Sequence, residues 1–234
     1  MRPTRCSALA AAALLFLTIP MDMTAQEEVR AVQGGGISVA GWMGKIDAAE
    51  AGRGATLQDA KLAQDGDALH VTTGPAVAYW NASNTLSGDY MVSATFTEPQ
   101  YMNLNNHPHP YGLFIGGNDM GTDQQSYLYC AAYGNGNFIV RGFGPEAFQM
   151  NGRRGEMSDA VHTAAGPGEQ VTQEIAIMVM GGTVSCQING TTVASYPVSE
   201  VVGAGKLKST DGVYGIRFGH NTEAMVTGLH GMKH

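Results

Sequence analysis

The sequence predicts an all-β protein, a mostly antiparallel β-sandwich, and three observations support this. Short apolar runs of strand length recur along the chain, separated by turn signals such as Asp65-Gly66 and Asp211-Gly212. No window sustains apolar residues at helical spacing without an interrupting glycine. The composition agrees, because 32 glycines and a charged fraction of 14% are typical of many short strands joined by tight turns.

The N-terminus has the pattern of a secretory signal peptide. Two arginines within the first five residues precede an apolar stretch at residues 8–19, and a polar run follows. We therefore expect cleavage after residue 25 and export to the periplasm or beyond. The apolar stretch is shorter than the roughly 20 residues of a membrane-spanning helix, so no membrane span is expected. The predicted organisation is a signal peptide 1–25, a flexible segment 26–36 and a single sandwich domain 37–234.

The charge balance and the missing motifs limit the possible functions. After removal of residues 1–25 the chain has 11 basic and 19 acidic residues, and hence a net charge of −8. Such a surface repels phosphate backbones, so nucleic acid is not an expected partner. The sequence contains no serine nucleophile elbow, no H-E-x-x-H, no P-loop and no dinucleotide fingerprint. We expect no cofactor.

The first half of the domain is predicted to contain a helical turn and four strands. Residues 47–63 are rich in alanine and are expected to hold the short helical turn. Strands are predicted from apolar alternation and β-branched residues, at 68–73, 75–80, 88–97 and 111–117.

His107 and His109 lie just before strand 111–117, and each is followed by a proline. On a regular strand this spacing presents both rings to one side, an arrangement that can bind zinc or copper. Pro108 and Pro110 instead favour a polyproline-like segment, in which residues two apart do not share a face. With no third ligand in register, we expect no metal site here and interpret the segment as a stiff loop.

Residues 125–142 are predicted to form a hairpin. A two-residue turn at Asn135-Gly136 would pair Tyr133 with Phe138. One face of this hairpin would carry Tyr127, Tyr129, Tyr133 and Phe138, and the other Leu128, Cys130, Ala132, Ile139 and Arg141. Either face suits the core, so the sequence leaves that choice open. Residues 143–169 are expected to be a long loop.

A three-stranded meander is predicted at residues 174–198. A turn at Gly181-Gly182 places Val179 opposite Val184, and Asn189-Gly190 returns a third strand with Val193 opposite Cys186. Strands 212–220 and 224–232 are expected to complete the fold. Cys130 and Cys186 are the cysteines left after cleavage, and a disulfide or two buried free thiols are equally open.

Several short motifs give the chain a family resemblance: Gly41-Trp42, Gly88-Asp89-Tyr90, Gln125-Ser126-Tyr127, the hairpin 184–193 and the segment 211–220. With these the chain resembles the concanavalin A-like lectin/glucanase superfamily, and more narrowly the bacterial 3-keto-disaccharide hydrolases. The resemblance implies a jelly roll whose concave sheet receives a sugar. The E-x-D-x-x-E run of the related glucanases is absent, so their pair of catalytic carboxylates is not expected.

The candidate site residues follow from the chemistry of sugars. Aromatic rings stack on the apolar faces of sugars while polar side chains bind the hydroxyls. The predicted ligand-binding residues are Gln125, Tyr127, Tyr129, Tyr133 and Arg141. The candidates for a catalytic role are His109, Asp119 and His220. In the alternative, the tyrosines only pack between the sheets, and His220 is a surface residue at a strand end.

Three functions remain open. The first is an exported protein that binds a carbohydrate or glycoside without catalysis. The second is a glycoside hydrolase, which a carboxylate, a histidine and an arginine in one cleft would favour. The third is a structural or interaction module of the cell envelope, which a flat, closed sheet would favour. The sequence identifies neither the ligand nor the oligomeric state.

Overall fold

The computed structural model describes residues 29–234, so the expected signal peptide lies outside the described residues. Two eight-stranded sheets pack face to face, and the predicted all-β sandwich is confirmed. The strands are β1 (Gly36–Ile37), β2 (Trp42–Ile46), β3 (Ala60–Asp65), β4 (Ala68–Thr73), β5 (Val77–Leu86), β6 (Tyr90–Glu98), β7 (Tyr111–Asn118), β8 (Ser126–Ala132), β9 (Asn137–Phe143), β10 (Ala147–Gln149), β11 (Glu156–Met157), β12 (Val171–Met180), β13 (Thr183–Ile188), β14 (Thr191–Pro197), β15 (Gly212–Phe218) and β16 (Glu223–Lys233).

The helical content is small. The helices are α1 (Ala48–Ala51), α2 (Val198–Val201) and a 3-10 turn, Leu57–Asp59. The helical turn expected within residues 47–63 is therefore present, but β3 begins in the same region at Ala60, which the sequence did not predict. Between residues 29 and 234, no helix has the length and apolar character needed to cross a bilayer.

The strand order places the last two strands inside the sheets. Sheet A has the order β1-β3-β4-β16-β6-β12-β13-β14, and sheet B the order β10-β9-β8-β7-β15-β5-β2, with β11 also paired to β9. Strand β1 is parallel to β3, and the other pairs of named strands are antiparallel. Thus β15 lies between β7 and β5, and β16 between β4 and β6.

The main core lies between the two sheets. Alternate residues of each strand point inward, as the two-residue period of a strand requires. Sheet A contributes residues such as Phe96 and Ile175, and sheet B residues such as Leu113 and Phe218, all fully buried. Of the two alternatives for the cysteines, the structure has the disulfide: Cys130 on β8 is bonded to Cys186 on β13, with Cα atoms 6.0 Å apart. It joins the two sheets through the core.

The predicted meander is present with one correction. Val179 lies opposite Val184 as predicted. A β-bulge between Cys186 and Gln187 shifts the third strand, so Ala194 rather than Val193 lies opposite Cys186. An extra residue of this kind cannot be read from the Asn-Gly turn, which fixes the register only close to the turn.

The hairpin at residues 125–142 differs from the prediction by one residue. The Tyr133 amide donates to the Asn137 carbonyl at 2.8 Å, which leaves three residues, 134–136, in the turn instead of two. Phe138 therefore pairs with Ala132. Because a shift of one residue reverses the face of every side chain, Phe138 joins the core whereas Ile139 and Arg141 lie on the same face as the tyrosines.

Two other segments make backbone pairings or hydrogen bonds with the rest of the fold. Residues 143–169, expected to be a long loop, contain β10 and β11, which both pair with β9. In the segment expected to be flexible, the Arg30 amide donates to the side chain of Asn221. Contacts do not measure mobility, so the flexibility of residues 26–36 stays a prediction.

Candidate functional site

Sheet B is apolar on both of its faces. The face directed away from the main core carries a second cluster of buried side chains, with Trp80, Phe114, Tyr127, Tyr129 and Ile139 among them. The tyrosines therefore do not pack between the two sheets, and that alternative is wrong. This face, which we call the outer face of sheet B, is the tyrosine-bearing surface on which the sequence predicted a ligand.

The outer face contains a cavity of about 330 Å³, here called the aromatic pocket. Four aromatic side chains line it: Tyr129, Tyr133, Phe143 and Phe148. The charged and polar lining residues are Asp47, Arg141, Gln149, Arg217, His109 and His220. The volume lies at the small end of the range for ligand pockets, and a few polar groups among apolar walls are typical of such sites.

Arg217, on β15, is the buried cation of this pocket. Its Nη2 donates to Asp47 Oδ2 at 2.6 Å, and its guanidinium carbon lies 5.6 Å from the ring centre of Tyr129 and 5.8 Å from that of Phe143. Burial lowers the pKa of Arg217, but the Asp47 carboxylate more than offsets this, so the pKa lies above its ordinary value. The Nη1 group is buried and has no hydrogen-bond partner among the described residues.

Arg141, on β9, supplies a second guanidinium. Its Nη2 donates to the Arg153 carbonyl, and its Nε is buried without a hydrogen-bond partner in the described part of the chain. Tyr129 lies directly opposite Arg141 on β8. Burial raises the pKa of both Tyr129 and Tyr133. Arg217 and then Arg141 lower the pKa of Tyr129 by less, and Arg141 lowers that of Tyr133 by less, so both hydroxyls stay protonated at neutral pH and can donate hydrogen bonds.

The other predicted site residues are more scattered. Tyr127 is fully buried and lies beneath the pocket, with its ring centre 5.2 Å from that of Phe143. Gln125 lines a neighbouring cavity of about 610 Å³, whose wall also includes Lys45 and Asp123. Asp119 forms an ion pair with Lys208 and lines neither cavity. Tyr129, Tyr133, Arg141, His109 and His220 are thus the predicted residues that the structure brings together.

The histidines meet because β7 and β15 are neighbours. Phe218 pairs with Tyr111, and the Gly219 amide donates to the Pro110 carbonyl at 2.7 Å, so the same register continues to His220 and His109. Their ring centres lie 3.9 Å apart, and those of His107 and His109 lie 4.4 Å apart. Two premises of the sequence prediction are therefore wrong: the proline-separated rings are adjacent, and a third histidine lies in register.

A buried carboxyl group stands behind His220. Glu50 Oε1 lies 3.5 Å from His220 Nδ1, and Glu50 Oε2 accepts a hydrogen bond from the Ala76 amide at 2.5 Å. Burial raises the pKa of Glu50, and the nearby charge of Asp47 adds to this, although the hydrogen bond from Ala76 opposes it. The Glu50 carboxyl group therefore lies beside the Nδ1 edge of the His220 ring.

Sequence reasoning missed Asp47, Glu50, Phe143, Phe148 and Arg217. Arg217 had a visible signal, because it interrupts the apolar run of strand 212–218 and such a charge requires a partner when buried. Asp47, the partner of Arg217, and Glu50, the partner of His220, had no such signal in the sequence. Both lie in the alanine-rich region 47–63 and reach the site only through the pairing of β2, β5 and β15.

Comparisons with solved structures identify the architecture. The carbohydrate binding module CBM66 from Bacillus subtilis aligns with a TM-score of 0.53 and 7% identity over 84% of this chain and 98% of that chain. A protein of unknown function with a galectin-like fold, also from Bacillus subtilis, aligns with a TM-score of 0.53 and 13% identity over 82% of this chain and 89% of that chain. The fold is a concanavalin A-like sandwich.

These similarities concern the fold, because both identities are far below those at which function is shared. A protein described as a glycosyl hydrolase from Parabacteroides distasonis aligns with a TM-score of 0.48 and 13% identity over 76% of this chain and 95% of that chain, too loosely to carry an argument. No protein-family model and no curated protein matches the sequence. Because one fold can carry many functions, the function of this protein depends on the residues of its site.

Proposed function

We propose that this protein is an exported carbohydrate-binding sandwich that takes a sugar in the aromatic pocket. The observation that carries the proposal is the combination of aromatic rings and guanidinium groups in one cavity of about 330 Å³. Aromatic rings stack on the C–H faces of pyranose rings, and guanidinium groups donate to hydroxyl or carboxylate oxygens. A flat outer face would instead have favoured an interaction module.

Two guanidinium donors lie behind the surface of the pocket. Arg217 Nη1 and Arg141 Nε are buried without hydrogen-bond partners among the described residues, and an unsatisfied buried donor is costly. A shift of either side chain on ligand entry would bring its free N–H to an oxygen of the ligand and reduce that cost. Similarity in fold to a carbohydrate binding module, CBM66, is compatible with the proposal.

The charges favour an acidic sugar over a neutral one. Arg217 is neutralised by Asp47, whereas Arg141 has no carboxylate partner in the described chain and bonds a backbone carbonyl instead. A uronic acid or another sugar carboxylate would give Arg141 a charge-assisted hydrogen bond. Neutral sugars lack this interaction and should bind more weakly.

Export is part of the same proposal. The N-terminal pattern of residues 1–25 favours it, and a disulfide such as Cys130–Cys186 forms and persists in oxidising compartments. N-terminal sequencing of the protein recovered from a bacterial periplasm tests this directly. Recovery of an uncleaved chain from the cytoplasm would contradict export.

The binding proposal is tested with a glycan array followed by calorimetry on purified protein. Arg141→Ala and Tyr133→Ala should each weaken binding of the selected glycan by about tenfold or more, because each change removes a wall of the pocket. Matched controls are Arg154→Ala and Tyr214→Ala, which alter an exposed arginine and a half-buried tyrosine outside the pocket. Equal binding by all four variants would overturn the site.

A glycoside hydrolase is the second candidate, because the pocket meets the expected criterion for an enzyme. It contains a carboxylate, Asp47, together with His220 and two arginines, and Glu50 lies 3.5 Å from His220 Nδ1. A histidine oriented by a carboxylate can act as a general base. Incubation of each bound glycan with the protein, followed by product analysis, separates the candidates: release of a reducing sugar that is lost in His220→Ala would favour the hydrolase.

A further inference from the structure

Three histidines at the rim of the aromatic pocket lie within reach of one metal ion. His107, His109 and His220 each offer one ring nitrogen, and these nitrogens all lie within 4.8 Å of one another. A tetrahedral zinc ion with Zn–N bonds of about 2.1 Å needs nitrogens about 3.4 Å apart. Small side-chain rotations would bring the three nitrogens to that spacing.

The backbone holds the two segments of this cluster together. The Gly219 amide donates to the Pro110 carbonyl at 2.7 Å, and the Asn105 side chain donates to the Asn221 carbonyl at 2.8 Å. Pro108 and Pro110 restrict the backbone of the histidine loop further. The cluster is therefore fixed from both sides, as a site must be if it is to bind a metal without a large ordering cost.

Neighbouring oxygens orient two of the rings as they do in known metal sites. His220 Nδ1 faces the Glu50 carboxylate at 3.5 Å, and His107 Nδ1 lies 2.7 Å from the Asn106 side-chain oxygen. Metal-binding histidines usually donate their second N–H to a carboxylate or an amide oxygen, which fixes the tautomer and the ring orientation.

We propose that His107, His109 and His220 form a site for a divalent transition metal, with zinc as the first ion to test. Imidazole ligands suit zinc, copper and nickel, whereas calcium and magnesium require oxygen ligands. Three protein ligands leave a tetrahedral ion with one open position. Because His109 and His220 also line the aromatic pocket, an ion held by them would lie at the edge of that pocket.

The test is equilibrium dialysis of purified protein that carries no histidine tag and has been stripped with a chelator. Zinc should bind at one ion per chain, measured by mass spectrometry of the metal, whereas magnesium should not bind. Cobalt bound at the same site should give the intense visible absorption of a tetrahedral ion. No sugar is present, so this experiment is independent of carbohydrate binding.

Variants distinguish this site from adventitious binding to surface histidines. His107→Ala and His220→Ala should each weaken zinc binding by at least about tenfold, while the control His230→Ala, which changes an exposed histidine on β16 in sheet A, should not. Circular dichroism without metal checks that the variants remain folded. Absence of stoichiometric zinc, or equal binding by all three variants, would overturn the proposal.

Discussion

At the scale of single residues, Arg217 is a buried cation whose charge depends on Asp47. The side chain of Arg217 is 7% exposed and that of Asp47 is 24% exposed. Removal of one partner of a buried ion pair is costly because the other charge remains in a medium of low dielectric constant. The two partners should not be equally costly, since an unpaired Asp47 can still contact water.

We expect Asp47→Asn to lower the free energy of unfolding by about 3 kcal/mol and Arg217→Met to lower it by less. Guanidinium unfolding curves of the two variants and of the double variant measure this difference. If Arg217→Met were the more damaging change, the stacking of the guanidinium on Tyr129 and Phe143 would outweigh its pairing with Asp47.

Glu98, which lies outside the pocket, makes the stability of the protein depend on pH. It is buried at the end of β6, and burial raises its pKa to about 7, although the hydrogen bond from the Met102 amide opposes this. The folded protein therefore retains a proton on Glu98 that the unfolded chain has already released near pH 4.5. The protonated carboxyl contributes its full stability below about pH 4.5, and this contribution is lost as the pH rises through about 7.

Glu98→Gln should remove this dependence, because an amide is neutral at every pH. Relative to the unchanged protein, the variant should gain on the order of 2 kcal/mol between pH 5 and pH 8, measured as the difference between denaturant unfolding curves. Glu146→Gln, at an exposed position, is the control and should show no such gain. A constant difference across this range would mean that Glu98 is not desolvated.

At the scale of elements, sequence patterns located the strands but did not determine their neighbours. Apolar alternation found β4 to the residue, and the Gly181-Gly182 turn gave the correct pairing of β12 with β13. The register of the hairpin at residues 125–142 was predicted less well, because the length of its turn was not evident from the sequence. One additional residue in the turn at 134–136 places Arg141 on the opposite face of β9 from the one predicted. No local pattern shows that β15 inserts beside β7, so His220 could not be assigned to the histidine loop from sequence.

Gly219 allows the close approach of the two segments that carry the histidines. A Cβ at this position would lie 2.9 Å from Pro110 Cδ and 3.1 Å from His109 Cβ, so a shift of the histidine loop would be required. Gly219→Ala should weaken zinc binding by about tenfold and destabilise the fold by about 1–3 kcal/mol. Gly166→Ala, where a Cβ meets nothing within 4 Å, is the matched control. Unchanged zinc affinity in Gly219→Ala would show that the loop adapts freely.

At the scale of the whole molecule, the disulfide is a covalent link between the two sheets. It closes a loop of 56 residues, and chain entropy predicts a stabilisation of about 4 kcal/mol for a loop of this length. The double variant Cys130→Ala/Cys186→Ala should therefore unfold at a lower denaturant concentration and should not respond to reductant. A native protein equally insensitive to reductant would contradict this contribution.

The architecture was predictable at this scale because it depends on composition and on the period of two along many strands. The site was not, since its charged residues come from the junction between β2 and α1, from β9 and from β15, and become neighbours only through long-range pairing. The predicted hairpin brought Arg141 close to the tyrosines of β8, because a hairpin keeps neighbours in sequence close in space, but it placed Arg141 on the opposite face.

The central positions of β15 and β16 have a consequence for synthesis of the chain. Each sheet keeps a gap between the partners of its last strand, β7 and β5 in sheet B and β4 and β6 in sheet A, until the final residues of the described chain have left the ribosome. A nascent chain therefore exposes unpaired edges on both sides of each gap, and such edges promote aggregation. Each sheet can therefore be completed only after translation of its last strand, β15 in sheet B and β16 in sheet A.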